Sequence, residues 1–257
     1  MKGLENIRNT FHRVVRASGF DVVRYRPAND PDQRLVHLLE RYSVNTLLDV
    51  GANVGQFAKR IMAAGYPNRI LSFEPVSSSH SMLLKNAEEY EQWQVARRCA
   101  LGGERRKVMV NIAGNSESSS LLPMLERHVS ALPISKYLGA EETELVRLDD
   151  VLDEYLDGGR DRSLALKMDV QGFEGEVLDG APRTLKDIRV IYTEMSLCPL
   201  YDREVPFFDL YSRILKLGFR CVGISPGFLD PTTWEVLQVD ATFVTEREPA
   251  ARLVKIA

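Results

Sequence analysis

Apolar and polar positions change period several times along the chain. Leu4, Ile7, Phe11, Val14 and Val15 recur at helical spacing with Lys2, Arg8, Arg13 and Arg16 interspersed, which predicts a basic amphipathic helix. Such a helix packs on the domain that follows, closes over a substrate, or lies on a membrane surface. Arg26 to Pro31 then reads as a loop. From residue 32 helical stretches alternate with short apolar runs. Helices are predicted over Gln33 to Tyr42, Phe57 to Ala64, Ser79 to Tyr90 and Phe207 to Leu217. Strands are predicted over Asn45 to Val50, Arg69 to Phe73, Gln94 to Leu101, Lys107 to Ile112, Leu164 to Met168, Ile188 to Thr193, Phe219 to Ile224 and Gln238 to Thr245. Gly114 to Glu142 is polar and Pro-punctuated, and reads as a long irregular insertion around a short helix, the kind of loop that serves as a lid. The alternation predicts an α/β fold, a doubly wound and mostly parallel sheet with helices on both faces. Residues 1–31 are set apart as an N-terminal helical appendage to a domain over 32–257.

In such sheets ligands bind outside the carboxyl ends of the strands. The first strand ends in Asp49-Val50-Gly51-Ala52-Asn53-Val54-Gly55-Gln56, a glycine turn that opens a helix. Gly51 and Gly55 allow a sharp bend and close approach to a ligand. Glu74 follows the second strand at once, where a carboxylate accepts hydrogen bonds from both hydroxyls of a ribose. A nucleotide-like cofactor follows, either NAD or S-adenosylmethionine. Asn53 and Gln56 stand where a dinucleotide fingerprint wants glycine. Asp49 repels a pyrophosphate and suits an amino group and a sulfonium, although it also serves as a cap for a neighbouring turn. The balance favours S-adenosylmethionine, with Ala100 and Leu101 as the apolar border of its adenine.

The fourth strand ends in Leu166-Lys167-Met168-Asp169-Val170-Gln171-Gly172-Phe173-Glu174. Lys167 and Asp169 point to one face, and a charged pair there is costly unless paired and used. It reads either as a salt bridge fixing the turn or as reaction-centre chemistry. Glu174 reads as dipole and capping chemistry. Glu194 adds a carboxylate at the same edge. Asp169 and Glu194 either share a hard divalent cation, with Mg2+ as the candidate, or divide base and substrate-binding work. Among the histidines, His80 reads as a surface residue, and His128, in the insertion, is within reach of such a site. His12 and His37 have no chemical neighbours.

Composition narrows the class. Of 257 residues 44% are hydrophobic and 27% charged, and 33 Lys and Arg against 36 Asp and Glu give a net charge of −3. That balance argues against a nucleic-acid partner. No apolar stretch is long enough to span a bilayer, and the first residues lack a signal-peptide core. Cys99, Cys198 and Cys221 are too few and too scattered for a disulfide framework, so a cytoplasmic protein with reduced thiols is expected.

The chain resembles the FkbM family of S-adenosylmethionine-dependent methyltransferases over roughly residues 45 to 245. The resemblance rests on Leu48 to Gly55, Phe73-Glu74-Pro75, Ala100-Leu101-Gly102, Asn115 to Leu121, Arg147 to Leu152 and Leu166 to Glu174. The Lys-x-Asp-x-x-Gly-x-Glu element together with the Ser-rich loop is the specific part. It implies a seven-stranded Rossmann-like methyltransferase sheet and methylation of a hydroxyl, on a sugar of a glycolipid or glycosylated natural product. Asp49, Gly51, Asn53 and Gly55 are then expected to hold the amino-acid end of the cofactor, Glu74 its ribose, and Ala100 and Leu101 its adenine. Asp169 is the expected base or metal ligand, with Lys167 and Glu194 orienting a small-molecule or glycolipid acceptor. An NAD-dependent oxidoreductase and a non-catalytic cofactor-binding scaffold are the competing readings. Neither the acceptor nor the oligomeric state is specified by these residues, and contact with a membrane surface stays open.

Overall fold

Every residue of the strand Thr46–Val50 (β1) is buried, because both faces of the sheet around it are covered. The computed structural model describes residues 2–22, 24–156 and 162–246. Residues 247–257 of the expected catalytic domain lie outside them, as do the side chains of Leu4 and Ile7 in the predicted apolar stripe. The N-terminal helix runs Lys2–Ala17 (α1) and is followed by Pro31–Arg41 (α2). After β1 come Gln56–Ala63 (α3), Arg69–Phe73 (β2), Ser77–Ala87 (α4) and Trp93–Val95 (β3). Further on, Leu164–Met168 (β7), Glu174–Asp179 (α7), Ile188–Ser196 (β8), Phe207–Lys216 (α8), Phe219–Pro226 (β9) and Gln238–Thr245 (β10) complete the main sheet and its helices. Its seven strands run in the order β3-β2-β1-β7-β8-β10-β9. β1 pairs in parallel with β2 and β7, and β7 with β8, while β10 is antiparallel to both its neighbours. The strand order reverses between β1 and β7, which is where such sheets hold their ligands.

Alternation divides the core in two. Leu47, Ile70, Ala165 and Val190 pack with α2, α3 and α4, whereas Leu48, Val50, Leu71, Phe73, Leu166 and Met168 pack with α7 and α8. Asp49 and Lys167 therefore point toward α3, on the side of Leu47.

The chain between β3 and β7 departs from expectation. The predicted strand over Gln94 to Leu101 is broken at Arg97 and Arg98, whose guanidiniums bond Glu144, Glu154 and Glu141. Its second half, Ala100–Leu101 (β4), joins a separate sheet ordered β4-β6-β5, with Arg106–Ala113 (β5) and Tyr137–Val146 (β6). β6 falls largely in the predicted irregular insertion. Its Glu141, Glu142 and Glu144 conceal a strand that is exposed on one side and satisfied by cross-strand ion pairs such as Lys107 to Glu142 at 2.7 Å. The short helix of the insertion is Glu126–Ala131 (α5), and Leu148–Val151 (α6) follows β6. β8 continues three residues beyond Thr193, so Glu194 lies within a strand, opposite Asp240.

Candidate active site

The turn after β1 is held open by backbone geometry. Gly51 has φ +75°, and a Cβ there would come 1.8 Å from the Asp169 carbonyl oxygen, so only glycine lets the ends of β1 and β7 meet. Gly55 has φ +93° and faces the Trp93 ring, which a Cβ would strike at 2.2 Å; it packs the turn and is not among the residues bordering the Glu74 cleft. Asn53, at φ +48°, donates its backbone N–H to Glu74 Oε2 at 2.8 Å, and Val76 N–H reaches Glu74 Oε1 at 2.8 Å. Glu74 is thereby aimed into a cleft bordered by Gly51, Asn53, Ala100, Leu101 and Phe173. Burial pushes its carboxyl up to about 7, against the pull of those two N–H groups. The Asn53 Oδ1 atom is buried with no hydrogen-bond partner among the described residues.

Asp49 departs from its expected position. It does not line that cleft but lies fully buried in a row that crosses the sheet at one register, Ser72, Asp49, Lys167, Tyr192. Trp93 Nε1 donates to Ser72 Oγ at 2.9 Å, Ser72 Oγ to Asp49 Oδ2 at 3.0 Å, and Lys167 Nζ lies 3.0 Å from Asp49 Oδ1. Lys167 also donates to the carbonyls of Gly51 at 2.8 Å and Val50 at 3.3 Å. Burial pushes its ammonium down, but Asp49, Asp169 and Glu74 outweigh that and hold it above the usual lysine value. Lys167 thus clamps the glycine turn from below, while its Nζ also lies 3.8 Å from Asp169 Oδ2 and borders the cavity beside Asp169.

Asp169 is different. Its side chain is 41% exposed and borders both the Glu74 cleft and a second cavity of about 310 Å³. That second cavity also holds Glu194, Gln238, Tyr192, Asp240 and His128. The Gln171 amide bridges the two carboxylates, donating to Asp169 Oδ1 at 2.7 Å and Glu194 Oε2 at 2.6 Å. Gln238 Nε2 gives Glu194 Oε2 a second donor at 2.9 Å. Burial, then the nearby Asp169, Asp240 and Glu174, raise the Glu194 carboxyl well above its usual range. Asp240 rises to about 6, mainly through burial and then through Asp169. Glu174 accepts from Val170 N–H at 3.0 Å and from Gly172 N–H at 3.4 Å, which is backbone capping.

The Gln171 amide stands between Asp169 and Glu194, where one of the two readings of this pair placed a shared cation, and this donor set does not fit Mg2+. Among the described residues no group of three or more His, Cys, Asp or Glu side chains is arranged to hold a metal ion. His80 is half-buried with Nε2 2.8 Å from the Ala96 carbonyl. His128 is buried in the cavity wall, its Nδ1 2.9 Å from Ser135 Oγ, and burial lowers its pKa.

Gln171, Gln238, Tyr192 and Asp240 were not singled out from sequence. Gln171 sits inside the fourth-strand motif at φ +54°, with Ser120 Oγ bonded to its carbonyl at 2.7 Å and Tyr201 OH bonded to its Oε1 at 2.6 Å. The Ser-rich loop covers the turn: Ser116 Oγ accepts from Asn53 Nδ2 at 3.1 Å, and Glu117 Oε1 from Gln56 Nε2 at 3.1 Å.

The chain belongs to the FkbM methyltransferase family: the Methyltransferase FkbM domain matches residues 49–221. It is 26% identical over 180 residues to the 2-O-methyltransferase NoeI of Sinorhizobium fredii, covering 68% of this chain and 72% of that one. To the methyltransferase sdnD of Sordaria araneosa it is 32% identical over 154 residues, 52% of this chain and 59% of the other. The solved structure of methyltransferase FkbM from Methylobacillus flagellatus is 17% identical with a TM-score of 0.48, over 78% of this chain and 43% of that chain. Membership in a methyltransferase family favours methyl transfer over the NAD-dependent reading. Among the described residues no helix is long and apolar enough to cross a membrane.

Proposed function

We propose that the protein is an S-adenosylmethionine-dependent O-methyltransferase acting on a hydroxyl of a sugar, carried on a small molecule or a glycolipid. The catalytic domain in this reading is 32–257, with 1–31 as an appendage. The observation that carries it is the position of Asp169, a partly exposed carboxylate on the boundary between the Glu74 cleft and the second cavity. The cleft suits the cofactor: Glu74 keeps lone pairs for two ribose hydroxyls, the orphan Asn53 Oδ1 suits an ammonium, and Ala100 and Leu101 offer an apolar wall. S-adenosylmethionine supplies an electrophilic methyl on a sulfonium and leaves as a neutral thioether.

Positioning supplies much of the rate of such a displacement. Asp169 takes the acceptor proton as the new oxygen–carbon bond forms, and Gln171 fixes its orientation through Oδ1. Glu194, its carboxyl raised well above the usual range by burial and by Asp169, Asp240 and Glu174, orients the acceptor beside it. Lys167 and Asp49 hold the turn that presents Gly51 and Asn53. The similarity to a 2-O-methyltransferase supports oxygen as the acceptor atom.

The test is methyl transfer from labelled S-adenosylmethionine to a panel of glycosylated lipids and natural-product sugars. Asp169→Asn should lower turnover by roughly 100- to 10,000-fold, the span of general-base catalysis. Calorimetry should find its affinity for S-adenosylhomocysteine within about threefold of the parent, since a displacement base adds little to ground-state binding. Retained turnover sinks the assignment of the base, and no transfer to any hydroxyl sinks the acceptor class.

A further inference from the structure

The first thirty residues stand apart from the site in both packing and charge. Residues 9–29 are exposed except for half-buried His12 and Val15, among those described. Phe11, Val14, Phe20, Val22 and Tyr25 are all exposed, Phe20 to 74%. Residues 1–26 carry six basic groups (Lys2, Arg8, Arg13, Arg16, Arg24 and Arg26) against Glu5 and Asp21, a net +4 on a chain whose total is −3. The remainder is therefore −7. Arg16 and His12 are tied to Asp21 at 2.9 and 3.5 Å, which folds the segment after α1 back beside the helix. This brings Phe20 and Val22 near the end that carries Phe11 and Val14.

The tether of this segment is fixed at the site. Asp30 caps α2 by accepting from Asp32 N–H at 3.0 Å and Gln33 N–H at 3.1 Å, and Asp32 pairs with Arg60 at 3.2 Å. Arg60 borders the second cavity. The exposed segment therefore joins the domain at the rim of the cavity next to Asp169.

We propose that α1 and the following residues through Arg26 form a docking element for an anionic lipid surface. An amphipathic helix with a basic polar face and aromatic residues among its apolar positions binds at the interface plane through buried apolar area and attraction to anionic headgroups. Burying Phe11, Val14 and Phe20 in the headgroup region removes apolar surface that the domain leaves uncovered. Arg13 and Arg24 then face phosphate while the acidic remainder of the chain is kept off the surface. A second copy of the helix is the competing occupant, because positions 4, 7, 11 and 14 follow a heptad. Sixteen residues make only about two heptads, short of the three to four that sustain a coiled coil. An identical helix also offers only Glu5 against Lys2, Arg8, Arg13 and Arg16, so like charges dominate such a pairing. The lipid surface matches both the apolar face and the charge.

The experiment uses the full chain and sedimentation with vesicles, one set of phosphatidylcholine alone and one of equal parts phosphatidylcholine and phosphatidylglycerol. Binding to the anionic set should be at least about tenfold tighter and should weaken as salt is raised. Phe11→Glu/Val14→Glu should abolish vesicle binding with the thermal midpoint unchanged, since both side chains are exposed, and Arg13→Ala/Arg24→Ala should weaken the anionic preference alone. Equal binding to both vesicle sets, no binding to either, or vesicle binding undiminished in the Phe11/Val14 variant overturns the proposal. So does a dimer by light scattering that the same variant dissociates.

Discussion

At the end of β7, Lys167 meets Asp49 at 3.0 Å and two backbone carbonyls. Two residues on, Asp169 faces Glu194 across a shared amide, with Asp240 close behind. The first group is opposite charges deep in the sheet; the second is like charges at a cavity. A buried ion pair of good geometry with its remaining valences filled holds structure in place. Crowded and buried carboxylates hold their protons more tightly, which is the direction in which Glu194 and Asp240 move. The same strand end therefore carries a clamp and a reactive site, and register decides which residue joins which.

The largest effect should come from breaking the clamp. Lys167→Met leaves Asp49 charged and buried without its partner, a change that costs about 3–5 kcal/mol. Chemical denaturation should show that loss, and adding Asp49→Asn should restore a substantial part of it, because the two positions are coupled. Asp169→Asn should leave the unfolding free energy near that of the parent while turnover collapses. If Lys167→Met were as stable as the parent, the contrast between clamp and reactive site would fail.

Much of this site was legible from strand ends. Gly51, Glu74, Asp169 and Glu194 do converge at one sheet edge, because parallel strands bring their carboxyl ends together whatever lies between them. Ala100 and Leu101 also border the cleft, although the strand holding them belongs to the smaller sheet. What escaped was direction and register. Asp49 turns toward Lys167 because odd positions of β1 face α3, a fact visible only once the neighbours are known. Gln171 bears no charge, and its role depends on a left-handed turn that places its amide between two carboxylates. Gln238 and Asp240 arrive from an antiparallel strand more than forty residues after Glu194, beyond the reach of local spacing. Strand β6 was hidden by glutamates that pair across the sheet, where charge resembles loop composition.

A smaller effect tests the crowded side. Asp240 has its carboxyl raised from 3.8 to about 6 in the folded protein. Below the lower value both states are protonated. Between the two the unfolded chain releases a proton that the folded one keeps, so this group's contribution to stability declines as pH rises and levels off above about 6. The difference in thermal midpoint between parent and Asp240→Asn should therefore change between pH 4 and 6 in the variant's favour. A difference that stays flat across that window would mean that Asp240 does not feel Asp169 and burial as described.

The mildest effect falls on the cofactor cleft, which shares burial with the clamp but lacks a buried cation in direct contact. Glu74 titrates near 7 because burial outweighs the two backbone N–H groups it accepts. Its ionised form is the better acceptor for two ribose hydroxyls, so binding below that pH must first expel a proton. Affinity for S-adenosylhomocysteine should then rise with pH, by at most about tenfold per unit below 7, and level off above it. Glu74→Gln cannot ionise, so its affinity should be weaker at pH 8 and should lose the slope. Calorimetry in two buffers of different ionisation enthalpy reads the released proton directly. Equal slopes in parent and variant would assign the pH dependence to another group and remove Glu74 from the ribose.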